Sequence, residues 1–245
     1  MKLAVISDIH GDAQALDEVL EAIDSEGIEQ IVCLGDVALS GYEPRRSIQR
    51  LIARSIPTLK WNTDARILER DPYQPDDPVA ATHERDWLDW TVDQLGNDEL
   101  AFLESLPATI ELDVGGIAIT CSHGSLRSYY DPVLPHTGDA ALTEWFSSTS
   151  AEVLLVGHTH QQILRRWNAR TIVNPGPVTR TFSRLDDNGL PLRAHAEYAV
   201  ISLVDGALDV RFRRIPIDSE EFLAQPRAFG MPHPDAWIER ALSGH

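Results

Sequence analysis

Two residue pairs in this chain have the types and spacing of a metal site: Asp8 with His10, and His158 with His160. One residue separates the members of each pair, so at an extended strand end both side chains point to the same side. Carboxylate oxygen beside imidazole nitrogen suits a first-row divalent ion rather than calcium or a structural thiolate site. Three more positions share this character: Asp36 after Gly35, Asn62, and His123 before Gly124. Singly, each has a plain reading as a turn, a loop-stabilising amide or a satisfied core histidine. The run Gly157-His158-Thr159-His160 is the hardest to ascribe to composition. Seven candidate ligands exceed what one ion needs, so two ions sharing a bridging carboxylate is the economical reading.

The elements that must position these groups are legible as periodicity. Residues 3–6 form a buried strand running into Asp8 and His10. Asp12 is a helix N-cap, Leu16, Val19, Leu20 and Ile23 follow on one helical face, and Gly27 closes the segment. Residues 30–34 make a second strand ending at Gly35-Asp36. Pro44 opens a helix carrying Ile48, Leu51 and Ile52, and residues 56–60 make a third strand ending at Trp61-Asn62-Thr63-Asp64. This alternation is a parallel, doubly wound beginning.

Residues 65–107 interrupt it as a helical insertion over one edge of the site. Its helices are expected near 79–95 and 98–106, with Trp87, Trp90 and Phe102 as core or dimer-contact residues. Beyond Thr109, Gly115-Gly116 turns a hairpin whose second strand, 117–121, leads into Ser122-His123-Gly124. A helix near 139–146 precedes a strand at 153–156 that ends at Gly157. Shorter strands are expected at 163–167 and 171–173. Asp205-Gly206 joins strands 198–204 and 207–215, and residues 216–245 read as a helical tail. In such sheets ligands gather where the carboxyl ends of strands face one crevice.

Composition narrows the function classes. The 245 residues, 43% hydrophobic, suffice for one large α/β domain spanning 1–245. No apolar run approaches the ~20 residues that cross a bilayer. The sequence enters a strand at once without a basic leader, so a cytoplasmic protein is expected. A net charge of −17 disfavours long nucleic acid and anionic membrane, and a small anionic substrate would need local cations. Cys33 and Cys121 lie in apolar runs and read as buried thiols.

As an ordered set from residue 8 to residue 160, the motifs resemble the calcineurin-like metallophosphoesterase superfamily: D-x-H, G-D, then G-N-H-D/E, a lone H, and G-H-x-H. Gly41-Tyr42-Glu43-Pro44, His123-Gly124-Ser125 with Arg127, and Asn174-Pro175-Gly176 are similar to further signatures of its small prokaryotic phosphodiesterase branch. The resemblance implies a four-layer αββα sandwich, two mixed sheets with helices outside. It implies one ion held by Asp8, His10, Asp36 and His160 and a second by Asp36, Asn62, His123 and His158, with Asp36 bridging. Two departures stand out. Trp61 replaces the usual glycine and is expected to crowd or reshape the approach to Asn62. Thr63 replaces the histidine thought to protonate the leaving group, which threonine cannot do near neutral pH.

The expected activity is hydrolysis of small phosphodiesters, activated phosphomonoesters or phosphoanhydrides by a hydroxide held between two ions, with nucleotides among the candidate substrates. The donor set admits manganese, iron, zinc, cobalt or nickel. Arg66, Arg127 and Arg180 are candidate phosphate contacts, each with a surface ion pair as its alternative. The rival class is a protein-interaction scaffold on the same fold, and homo-oligomers stay open.

Overall fold

The computed structural model describes residues 2–128, 130–179, 181–182, 194–204 and 206–243. In chain order the elements are β1 (Lys2–Ile6), α1 (Ala13–Ser25), β2 (Gln30–Cys33), α2 (Pro44–Ala53), α3 (Asn62–Glu69), α4 (Pro78–Gln94) and α5 (Asn97–Ser105). Then come β3 (Ile110–Val114), β4 (Ile117–Cys121), α6 (Asp139–Trp145), β5 (Val153–Leu155), β6 (Gln162–Trp167) and β7 (Arg170–Pro175). The chain finishes with β8 (Thr181–Phe182), β9 (Ala194–Val204), β10 (Ala207–Ile217), α7 (Ser219–Ala228) and α8 (Pro234–Ser243).

Both five-stranded sheets are mixed. The first runs β10-β9-β1-β2, with β8 beside β9; β1 and β2 are parallel, Val5 opposite Val32, and β9 is antiparallel to β1. The second runs β3-β4-β5-β7-β6, with a parallel centre and antiparallel edges.

Alternation along β1 decides what each face buries. Leu3 and Val5 join Val32, Val114, Ile119, Val153 and Val173 between the sheets, whereas Ala4 and Ile6 face Leu16, Val19, Ile23, Ile48 and Leu51 of α1 and α2. On the far side, Leu154, Val156 and Ile172 pack against Leu142 and Phe146 at α6. The result is helix, sheet, sheet, helix, the expected four-layer sandwich. Each central strand is covered on both faces, which is why its sequence is almost continuously apolar. Gly115 and Gly116 take φ +64° and +94°, the paired positive values of a tight hairpin turn.

The third expected strand is reduced to one bridge, Cys33 to Thr58. Cys33 donates to Pro57 O and accepts from Leu59 N, but the ladder cannot extend: Pro57 has no N–H, Ile56 N is spent on Leu51 and Lys60 N on Pro107. The α3 helix, absent from the sequence reading, begins at Asn62 itself. Strand β9 starts four residues earlier than the expected 198, because His195 and Glu197 are buried as a polar pair, 3.1 Å apart, with Arg214 on Glu197.

The α4 and α5 helices pack beside α2 and α3. Trp87 of α4 joins Tyr42, Phe222, Met231 and Trp237 in a satellite core, which ties α4 to the C-terminal helices. No helix among the described residues is long and apolar enough to cross a membrane.

Candidate metal centre

Four strand ends converge. Asp8 and His10 follow β1, Asp36 follows β2, His123 follows β4, and His158 and His160 follow β5. Ligand atoms of Asp8, His10 and His160 lie within 4.8 Å of one another, and so do those of Asp36, His123 and His158. Each set takes residues from both sheets. Asp36 links them: its Oδ2 is 3.5 Å from His10 Nε2 and 3.5 Å from His123 Nε2. Asp8 Oδ1 also reaches across, 3.3 Å from His160 Nε2 and 3.4 Å from His123 Nε2.

The imidazoles are aimed by their outer nitrogens. His10 Nδ1 donates to Leu39 O at 3.0 Å and His123 Nδ1 to Leu34 O at 2.7 Å, which leaves each Nε2 to present a lone pair inward. The backbone is committed as well. Asp8, His10, Asp36, His158 and His160 all take positive φ, between 47° and 68°, a costly conformation away from glycine that clusters at functional sites. Gly157 must be glycine for space: a Cβ there would run into Ser7 Oγ and stand 3.0 Å from His123 Nδ1. Asn174, from the Asn-Pro-Gly signature, steadies the same turn by donating from Nδ2 to Gly157 O at 2.6 Å.

Three buried polar atoms fit a cation: Asp8 Oδ1, Asn62 Oδ1 and His123 Nε2 have no hydrogen-bond partner among the described residues. Left unsatisfied, each would cost about 1–3 kcal/mol. Burial opposes ionisation of Asp8, yet the His123 and His160 imidazoles outweigh it and hold the carboxyl well below the usual carboxylate range. Asp36 is lowered against its burial in the same way, by His123 and His10. Burial pushes His10 down, whereas at His160 the Asp8 charge overcomes burial and pushes the imidazole up. Two buried anions among inward lone pairs form a nitrogen and oxygen donor set for divalent transition ions.

Thr63 has a definite partner. Its Oγ1 donates to Asp36 Oδ1 at 2.6 Å, so one carboxylate oxygen is engaged and Oδ2 alone faces the imidazoles. Asp64, not singled out from the sequence although it stands at the D/E of the third motif, accepts from Asp36 N at 3.2 Å and Val37 N at 3.0 Å. Burial and the Asp36 charge push its carboxyl up to about 7. Trp61 is fully buried and stacks on the His123 ring, centroids 3.9 Å apart, with an edge contact to His158. It thus lies against both histidines of the second set.

The arginines separate. Arg127 is spent on Asp131 at 2.7 Å and Glu144 at 2.5 Å, the ion-pair alternative to a phosphate contact. Arg66, one turn along α3 from Asn62, makes no ion pair among the described residues and lies over the Tyr73 ring at 5.3 Å. Arg180 lies outside the described residues.

Comparison with known proteins agrees with this architecture. A sequence profile of the calcineurin-like phosphoesterase superfamily domain matches residues 1–224. The chain is 26% identical to the uncharacterized protein MJ0912 of Methanocaldococcus jannaschii over 178 residues, 72% of this chain and 69% of that one. It is 32% identical to phosphodiesterase YfcE of Escherichia coli K12 over 124 residues, 46% of this chain and 66%, just under two thirds, of YfcE. The crystal structure of a metallophosphoesterase from Sphaerobacter thermophilus superposes with a TM-score of 0.74 at 26% identity, covering 100% of this chain and 98% of that one. The hypothetical protein PH1004 of Pyrococcus horikoshii OT3 gives a TM-score of 0.77 at 21% identity, covering 97% and 96%, and shares the fold.

Proposed function

This chain belongs to the calcineurin-like phosphoesterase superfamily, and from that premise we propose that it is a metal-dependent hydrolase of small phosphodiesters, activated phosphomonoesters or phosphoanhydrides, nucleotides among them. The observation that carries the reading is Asp36 Oδ2 standing 3.5 Å from an imidazole of each ligand set. Asp8, His10, Asp36 and His160 would hold one divalent ion, and Asp36, Asn62, His123 and His158 the other. Bound there, two ions would supply positive charge to the phosphoryl oxygens and a nucleophile competent at neutral pH.

The chain's own residues account for the rest. The Leu39 and Leu34 carbonyls keep His10 and His123 in the tautomer that binds a cation. Thr63 fixes Asp36 through Oδ1, and its hydroxyl, not acidic near neutrality, donates no proton to a departing alkoxide. Substrates whose leaving groups depart as stable anions are therefore favoured over alkyl monoesters. The net charge of −17 supports small substrates over long nucleic acid. The buried free thiols of Cys33 and Cys121 are compatible with the cytoplasm as its compartment.

Replacing Thr63 by valine should weaken Mn2+ binding by about tenfold or more, the scale on which groups that orient a ligand act. Thr63→Ser should bind as the parent does. Titration calorimetry distinguishes them, and an equally tight Thr63→Val would mean that the hydroxyl is idle.

The activity itself is tested by paired aryl mono- and diester substrates with Mn2+, beside an Asn62→Ala control. Turnover that falls more than about a hundredfold in Asn62→Ala is expected, beyond the loss from disturbing an outer partner. A chain that takes up metal yet turns over neither substrate would instead be an interaction scaffold.

A further inference from the structure

The polypeptide beyond residue 224 falls outside the family profile, yet it reaches back to the site. Trp237 of α8, 7% exposed, sits in the satellite core with Tyr42, Trp87, Phe222 and Met231. Its Nε1 donates to the Ser40 carbonyl at 2.7 Å. The carbonyl immediately before, that of Leu39, accepts from His10 Nδ1 at 3.0 Å. Two successive carbonyls are thus gripped from outside by an indole and from inside by an imidazole. Ser40 between them takes φ +81°, a conformation that persists only where surrounding contacts impose it.

The neighbouring residues tie the far end of this loop to the turn after β1. Glu43 N donates to Gly11 O at 2.8 Å, and Tyr42 OH donates to Asp12 Oδ1 at 2.9 Å. From the other side α4 fixes the tail, Trp87 Nε1 donating to Pro232 O at 2.8 Å. The α8 helix is thus hydrogen-bonded one residue away from the Leu39 carbonyl that receives His10.

We propose that Trp237 is a positioning residue for His10, acting through the Leu39–Ser40 peptide, so that the C-terminal helices set the affinity of one of the two ion sites. The proposal rests on the metal-centre reading above. The imidazole is aimed by the acceptor on its Nδ1, and an acceptor free to drift lets Nε2 swing away from Asp8 and Asp36. Coupling of this kind is reciprocal. If Trp237 tightens the ion, the ion must tighten the Trp237 hydrogen bond by the same factor.

The test is Mn2+ titration calorimetry on the full chain and on Trp237→Phe, which keeps an aromatic ring and removes the N–H. Both should take up two ions, with one affinity weakened about fivefold, the scale of one net hydrogen bond, and the other unchanged. In a His10→Ala background, adding Trp237→Phe should not alter the remaining affinity. A mere core-filling role would lower thermal stability and leave the ratio of the two affinities alone. Unchanged affinities, or equal weakening of both, would overturn the proposal.

A second measurement needs no variant. Exchange of the Trp237 indole proton, followed by NMR, should slow about fivefold when Zn2+ is added, by that reciprocity. An unaltered rate would also overturn the proposal. If the parent chain takes up no ion at all, the metal-centre reading falls and this inference with it. Two ions bound normally by Trp237→Phe would sink this inference alone.

Discussion

Asp36→Asn should bring metal-dependent hydrolysis down by more than about a hundredfold while leaving the chain folded. Removing an outer partner of a ligand already costs ten- to a hundredfold, and Asp36 stands between both sets. The amide keeps the carboxylate's shape, and its oxygen can still accept from Thr63 Oγ1. Its NH2 then faces the Nε2 lone pairs of His10 and His123 and donates where an ion would have sat. Against burial and the Asp8 charge, His123 and His10 hold the Asp36 carboxyl low, so neutralising it forfeits that stabilisation at neutral pH. The metal-free variant should therefore stay folded but melt lower than the metal-free parent, with its Mn2+ content reduced. Calorimetric melting and metal analysis of the same sample check both halves. Full activity, or an unfolded variant, would refute the bridging role.

Gly41→Ala should damage the fold with a single added methyl. A Cβ at position 41 would be driven into the His10 carbonyl oxygen and the Gly11 backbone. Both obstacles are main chain, so no side chain can swing aside. Overpacking usually costs 1–3 kcal/mol, and a clash of backbone with backbone belongs at the upper end, about 3 kcal/mol. For a domain of this size that lowers the melting temperature by roughly 6–12 °C. The loop would yield by retreating from residues 10 and 11, taking the Leu39 carbonyl off His10. Metal affinity should fall together with stability. Gly138→Ala is the control: nothing stands within 4 Å of a Cβ there, and stability should change by less than about 0.5 kcal/mol. Equal melting temperatures for the two variants would refute the packing argument.

What the sequence disclosed was local. A D-x-H or G-H-x-H motif carries its own geometry, because residues two apart at a strand end share a side, and the preceding apolar run marks the strand. The position of Asp36 was legible for the same reason. What it did not disclose depends on contacts between distant residues. The Thr63 hydroxyl meets a carboxylate 27 residues away, so the threonine read only as a missing histidine. Asp64 binds the backbone at 36 and 37 across the same interval. Trp61 could be recognised as a departure, but its stacking on His123 needed both sheets in place.

Strand length failed where pairing, not pattern, set the outcome. The run 56–60 has the apolar character of a strand and only one partner residue to spend it on. Conversely, His195 and Glu197 look too polar for a buried strand until their mutual hydrogen bond and Arg214 are counted. Arg127 shows the limit for cations. Its ion-pair alternative was open, but neither partner was named: Asp131 lies four residues on and Glu144 seventeen.

Each ligand trio is drawn from the two layers of the sandwich: Asp8 and His10 with His160 in one, Asp36 with His123 and His158 in the other. Ions seated there would be rivets through the molecule rather than plugs in a surface cleft. Sliding one layer across the other would pull both candidate sets apart at once, so shear and the release of any bound ions would be the same motion. If the proposed ions bind there, resistance to loosening would follow the ambient supply of transition metal, and scarcity would be felt first as slack at the centre of the sandwich.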